Sequence, residues 1–304
     1  MIAEEVISMS DGTRMQAYFD NMKKLFNASP LDTSITDIFQ ALNDECQAAV
    51  DLMVPLPLKS NSTAAGKNYV LFEYNDKKSR PVNVDLYREG LLPDADGKSK
   101  ISVFFDDVRQ QTIAAQPAHD ITTALYAIAM SYCVCADCLP GLKQNAGTYF
   151  EKLVGHLYAR HLGIEPSTQL SAVELYGHSI PLPTDFIFNL GAGKPKLHIP
   201  VKTSTRERVV EVWAQQRILD GAFGVGRFFC LLTCIGETNL SKGMSIDITC
   251  VPNQWINYQL FIAQILRAYY LDVPDRYFEL NNRFPKIHVK EFGEFFHESD
   301  HLFD

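Results

Sequence analysis

The sequence lacks an export signal. Its opening, "MIAEEVISMSDG", is acidic and has neither a basic n-region nor an apolar h-region. It also lacks a long apolar run: the longest, "ITTALYAIAMSYCVC" (residues 121–135), is broken by Thr and Ser and falls short of the roughly 20 residues of a membrane span. A cytoplasmic protein is therefore expected. There is no internal repeat and no low-complexity tract, and no Ser-His-Asp or Cys-His arrangement stands out. An excess of positive charge is missing too. Lys and Arg number 28 against 36 Asp and Glu, for a net charge of −8. That excludes a protein whose whole task is nonspecific coating of nucleic acid. It leaves room for a site-specific DNA enzyme whose positive charge is confined to one cleft.

What is present is an ordinary globular composition, 46% apolar and 21% charged over 304 residues, enough for one large or two modest domains with a real core. Seven cysteines, an odd number, point to reduced thiols. "CVCADC" (Cys133, Cys135, Cys138) has no clear fourth ligand, and Cys133 continues an apolar helical pattern. Its first reading is structural; zinc is the alternative.

The 3.6-residue apolar spacing predicts helices over residues 13–28 and 35–53, and a buried helix over 119–135. "YVLFEYN", "VNVDLY" and "ISVFFDDV" read as strands. "NAGTYFEKLVGHLYARHLG" reads as a helix with Phe150, Val154, Leu157 and Leu162 in a stripe and Gly163 as its stop. "LSAVELYG", "PTDFIFNL", "KLHIPVK", "RFFCLLTCI" and "SIDITCV" read as further strands. A helix is expected over about 204–220 and a final long one over "NQWINYQLFIAQILRAYYL". In "PTDFIFNL", Phe186 and Phe188 alternate with Asp185 and Ile187, which fall on the opposite face.

The chemistry gathers around Lys202. It ends an apolar strand, where a lysine is costly unless paired or working. A hairpin at "GAGKP" would set it beside Asp185. An Asp and a Lys at one sheet edge suit metal-assisted hydrolysis of a phosphodiester, with the carboxylate holding Mg²⁺ and the lysine polarising the phosphate. A plain salt bridge is the bland alternative. Ser204 to Glu207 has the S-x-x-E form of a capping box, which places the helix start just after Lys202.

The order of elements, a helix carrying Glu151, strands carrying "PTD" and "VK", then a helix and another strand, resembles the core of the PD-(D/E)XK nuclease superfamily. Lys202-Thr-Ser-Thr-Arg206-Glu207-Arg208 resembles the K-x-x-x-R-(D/E)-R signature of type II restriction endonucleases that read CCGG, CCNGG and related C/G-doublet sites. The resemblance spans residues 145–235. It implies an α/β fold with a restriction-endonuclease-like core, a mixed central sheet flanked by helices. The core would take residues 141–304 with a C-terminal helix, and a largely helical region over 1–140 would serve dimerisation and DNA contacts. It implies a Mg²⁺-dependent endonuclease acting on double-stranded DNA as a homodimer or higher oligomer, with a cognate DNA methyltransferase in the same system. Lys202 would be catalytic, and Arg206, Glu207 and Arg208, with Ser204 beside them, would lie on DNA. The residue types agree: arginine donates twice to guanine, and glutamate accepts from the cytosine amino group. A solvated helix start gives the same "RER".

Two departures stand out. Pro200 occupies the place of the (D/E)-x-K acid. The alternative acid of the C/G-doublet family, 13 or 14 residues after the lysine, is replaced by Gln215 and Gln216. Gln215 could orient water or metal through its carbonyl oxygen. Glu211, one turn earlier on the same face, could substitute for the acid. Glu151 is the favoured second carboxylate, with Asp185, for the metal; its bland reading is a helix charge paired with a lysine. A repair or mobile-element nuclease of the same fold, or an inactive DNA-binding protein, are the alternative functions. "GAFGVG" follows a helix and precedes a strand, the reverse of a phosphate-binding loop, and reads as a turn. "HESDHLFD" reads as a solvated tail, and nothing links Asp106 and Asp107 to Lys202.

Overall fold

The computed structural model describes residues 12–61, 64, 66–94, 96–143, 145–175, 178–241 and 244–302; the side chains of 171–175, 178–181, 183 and 207 lie outside the description. Most of the opening segment, and the last two residues of the tail, therefore fall outside it.

Helix α1 (Gly12–Ala28) buries Met15, Phe19, Met22 and Phe26, and α2 (Ser34–Val50) buries Ile35, Phe39, Leu42 and Cys46. Both stripes follow the helical period, which is why these segments fold as the sequence predicts. A small antiparallel sheet follows, built from β1 (Val54–Pro57), β3 (Tyr69–Tyr74), β4 (Lys77–Lys78) and β5 (Val82–Asn83); β2 (Lys59–Ser60) lies between β1 and β3 in sequence. Next come α3 (Val84–Leu91), α4 (Lys100–Gln110), α5 (Ala118–Cys138) and α6 (Ala146–Leu162).

Two segments read as strands fold mainly as helices. In "ISVFFDDV" the buried residues are Ile101, Phe104, Phe105 and Val108, a helical repeat that outweighs the strand propensity of Val and Phe, and the Ser99 hydroxyl accepts from the Ser102 N–H at the helix start. In "VNVDLY" only Val82 and Asn83 pair with β3; Val84 onward is helix α3, with Tyr87 and Gly90 buried against α5. Helix α5 is 21 residues long and passes the length and composition test for a membrane span, but 94% of its apolar stretch is buried inside the fold. Cys133, Cys135 and Cys138 are buried on it, and no metal-ligating group of three gathers among the described residues.

The central sheet has seven strands: β6 (Ser167–Leu175), β7 (His178–Asn189), β8 (Lys196–Ile199), β9 (Val201–Lys202), β10 (Phe228–Cys234), β13 (Arg267–Tyr270) and β14 (Val289–Glu291). Its order is β14-β13-β10-β8-β7-β6, with β9 also on β10; β6, β7 and β8 are antiparallel neighbours and the rest pair in parallel. Strands β11 (Thr238–Ser241) and β12 (Ser245–Ile248) form a three-stranded sheet with β2. The long helix expected over residues 253–271 is instead α8 (Pro252–Phe261) followed by β13. The Gln259 side-chain amide closes the turn between them, donating to the Ile265 carbonyl (3.1 Å) and accepting its N–H (3.0 Å). Tyr269 and Tyr270 are buried on opposite sheet faces, so this run is apolar all round, a pattern that does not separate helix from strand.

One sheet face, carrying Phe186, Phe188, Leu197, Ile199 and Leu231, packs into a cluster with α1, α2, α5 and α6. The other, carrying Cys230, Leu232 and Cys234, packs on α7 (Val209–Phe223) and α8 through Val212, Trp213 and Trp255. Helix α6 meets β7 at Gly155, where an added Cβ would lie 2.4 Å from Cζ of Phe186. Gly155→Ala is therefore expected to cost about 1–3 kcal/mol of unfolding free energy through overpacking, read from the urea midpoint at unchanged slope.

Candidate active site

The β7–β8 register pairs Phe186 with Ile199, which sets Asp185 opposite Pro200. Proline has no N–H to continue the ladder. The next N–H, from Val201, instead donates to Asp185 Oδ2 at 2.8 Å, while the Pro200 carbonyl accepts from Thr233 N at 2.9 Å. The interruption thus ties the carboxylate to the strand that carries Lys202. Lys202 Nζ lies 3.2 Å from Asp185 Oδ2 and 3.3 Å from Glu211 Oε1. The lysine side chain is 9% exposed and that of Glu211 43% exposed, so the cation is nearly withdrawn from water while one of its carboxylates opens to it.

Strand alternation explains the choice of partner. Val201 joins the cluster that holds α6, so Lys202 turns to the face covered by α7, where Glu211 sits in the first turn. Glu151 comes from α6 on the opposite face. It pairs with Lys152 at 3.0 Å, whose ammonium lies over the rings of Phe26 and Phe186, and it reaches the same cleft at the end of the sheet. That cleft, about 550 Å³, is lined by Glu151, Asp185, Lys202, Ser204, Arg206 and Arg208 among others.

Gln215 follows Glu211 by one turn, and its Oε1 is buried without a hydrogen-bond partner among the described residues. Gln216 points elsewhere. Its amide nitrogen donates to Asp220 Oδ1 and to the Phe228 carbonyl, both at 2.9 Å, so its oxygen must accept from Nδ1–H of His198 at 3.2 Å. The other ring nitrogen, Nε2, is buried beside Gln215. Burial pushes the His198 pKa down to about 4, so the ring is neutral at pH 7.

Ser204 is not the N-cap residue of the helix start. A single 3₁₀ turn, Arg206–Arg208, precedes α7, its N-cap Thr205 makes no side-chain cap, and the Ser204 hydroxyl donates instead to Glu237 Oε2 at 2.8 Å. Glu237 carries the cap from the far end of β10. Its carboxylate accepts from the N–H groups of Thr205 (3.0 Å) and Arg206 (3.2 Å), and nothing in the sequence around "IGE" marks it for that role. The side chain of Glu207 lies outside the described residues. Arg206 and Arg208 are exposed on the turn.

Among the described residues no three His, Cys, Asp or Glu side chains form a ready-made cage for a metal. The carboxylates that line the cleft are those of Asp185 and Glu151, and Glu211 joins them through Lys202, so the acidic donors are all oxygens. Such hard donors, few in number, fit Mg²⁺, which is bound through one or two carboxylates together with water and substrate phosphate.

No protein-family model matches the sequence, and no curated protein does. Two solved structures are similar. The type IIP restriction endonuclease Kpn2I superposes with a TM-score of 0.76 over 96% of this chain and 98% of its own, at 23% identity. The restriction endonuclease PspGI, in a complex with substrate DNA, aligns over 72% of this chain and 87% of its own at 16% identity, with a TM-score of 0.40 that adds nothing to the comparison. The chain therefore shares its fold, along nearly its whole length, with the type IIP restriction endonuclease Kpn2I.

Proposed function

We propose that this protein is a Mg²⁺-dependent, site-specific endonuclease that cuts double-stranded DNA at a site containing a C/G doublet. The observation that carries the reading is Lys202, nearly buried and held between Asp185 and Glu211, lining a cleft that Arg206 and Arg208 also line. Mg²⁺ bound at Asp185 would supply Lewis acidity to the scissile phosphate and lower the pKa of a bound water. The chain's own groups do the rest. Asp185, fixed by the Val201 N–H, presents its carboxylate at a constant place. Lys202 orients the attacking water and hydrogen-bonds the phosphate oxygens as negative charge builds on them. Water's oxygen joins phosphorus, the bond to the leaving sugar oxygen breaks, and that oxygen takes up a proton. Glu211 is the second carboxylate of this reading, Gln215 supplies a neutral oxygen behind it, and Glu151 closes the cleft from α6.

Arg206, Glu207 and Arg208 would read adjacent C·G pairs from the major groove, with Ser204 supporting the turn. A palindromic site presents the same half-site twice, so the working form is a homodimer, with residues 1–140 supplying dimer and further DNA contacts. A partner methyltransferase would protect the host's own sites. Incubation with unmethylated phage DNA and Mg²⁺ is expected to give discrete bands that disappear in EDTA. A smear would assign a nuclease of loose sequence preference, and intact but shifted DNA an inactive binding protein.

A further inference from the structure

We propose that Glu237 is the positioning residue of the base-reading turn, acting through Ser204 to pre-set the guanidinium of Arg206. The inference rests on the reading of Arg206 as a DNA contact. Glu237 is 1% exposed, yet no Lys, Arg or His pairs with it among the described residues. Its carboxylate is held by donors alone: Ser204 Oγ (2.8 Å), Thr205 N (3.0 Å), Thr205 Oγ1 (2.5 Å), Arg206 N (3.2 Å), Tyr270 OH (2.8 Å) and, more weakly, Cys234 Sγ (3.8 Å). A buried carboxylate is an expensive way to gain stability, because the desolvation of the charge opposes what its hydrogen bonds contribute. What it provides is a fixed position for every group that donates to it.

Four of those six donors belong to residues 204–206. The same stretch is tied to the backbone that leads into Glu237: Ile235 N donates to the Lys202 carbonyl (3.3 Å) and Gly236 N to that of Thr203 (3.4 Å). From Lys202 to Arg206 the chain therefore lies at one offset from β10. The relay continues into the arginine. Because the Ser204 hydroxyl gives its proton to Glu237, its lone pairs face outward, and one accepts Arg206 Nε at 3.1 Å. Two residues beyond Glu237, Asn239 Oδ1 accepts Arg206 Nη1 at 3.1 Å. Glu237 thus sets the backbone of the turn, the direction of the serine and, through it, the plane of the guanidinium. A planar fork held in advance loses less freedom when it meets guanine.

Glutamine at 237 keeps the shape but, with a donor amide in place of one oxygen, cannot accept from all six. Glu237→Gln should weaken binding to a duplex carrying the site found by the phage digest by about tenfold or more, comparable to losing one bidentate base contact. Affinity for a duplex with one altered C·G pair should stay unchanged, so discrimination shrinks by the same factor. In cleavage the loss should appear in KM, with kcat changed only severalfold. A merely structural role predicts the opposite pattern: a lowered melting temperature with equal losses on both duplexes. Equal losses, or undiminished discrimination, would overturn the proposal. If Glu237→Gln does not fold, the double variant Ser204→Ala with Asn239→Ala removes the relay from its exposed end. Wild-type discrimination in that variant would overturn the proposal equally. A wild-type protein that neither cuts nor discriminates removes the reading beneath it, and the inference with it.

Discussion

Lys202→Ala is expected to lower the single-turnover cleavage rate by about a thousandfold or more while leaving sequence-selective binding in place. The loss combines the group that orients the water with a donor aimed at developing charge, effects worth roughly a hundredfold to ten-thousandfold each in other enzymes. Binding should survive because Lys202 is nearly buried beneath the cleft and the reading turn is pinned separately, by Glu237. The variant also leaves Asp185 and Glu211 facing each other without the cation between them, so a modest fall in melting temperature is expected. Cleavage of a labelled duplex, run beside a gel shift in EDTA, separates the two properties. Cutting at the wild-type rate would show that the active site lies elsewhere.

The second large effect decides which carboxylate completes the site. Glu211→Gln is expected to reduce cleavage by about a hundredfold to a thousandfold, the range seen when one electrostatic contact is removed from a reacting centre. Glu151→Gln should cost no more than about tenfold, because Glu151 reaches the cleft from the opposite sheet face and already pairs with Lys152. Element order alone favours Glu151; strand alternation favours Glu211. Raising the Mg²⁺ concentration should recover part of the Glu211→Gln loss if that carboxylate helps hold the ion, and a reversed ranking of the two variants would return the role to Glu151.

How much of this was legible in the sequence depended on the range of the interaction. Asp185 and Lys202 were legible as neighbours because a short hairpin joins their strands, and the alternation of Phe186 and Phe188 with Asp185 put the acid on the sheet face opposite the phenylalanines. Helices α1, α2 and α6 were legible from their stripes, and α5 from its continuous apolar run, which the structure buries on all sides. The misread segments carried signals that cancel. Residues 101–108 are rich in strand-forming Val and Phe yet repeat with a helical period, and residues 268–271 are buried on both sides because the strand Arg267–Tyr270 lies inside the sheet. Glu237 was invisible for another reason. Ser204 and Glu207, three residues apart, offered a complete local cap, whereas the real cap arrives from 32 residues downstream along a parallel strand. No local pattern encodes that.

The glutamine at position 216 constrains how the site could be redesigned. Restoring the acid that the restriction-enzyme pattern expects there would not be a simple reversal. Glutamate cannot donate to the Phe228 carbonyl, would face the carboxylate of Asp220, and would set a charge against the neutral ring of His198. Gln216→Glu is therefore expected to destabilise the fold rather than add a carboxylate to the cleft, so an acid introduced at that position would also need new neighbours at 198 and 220.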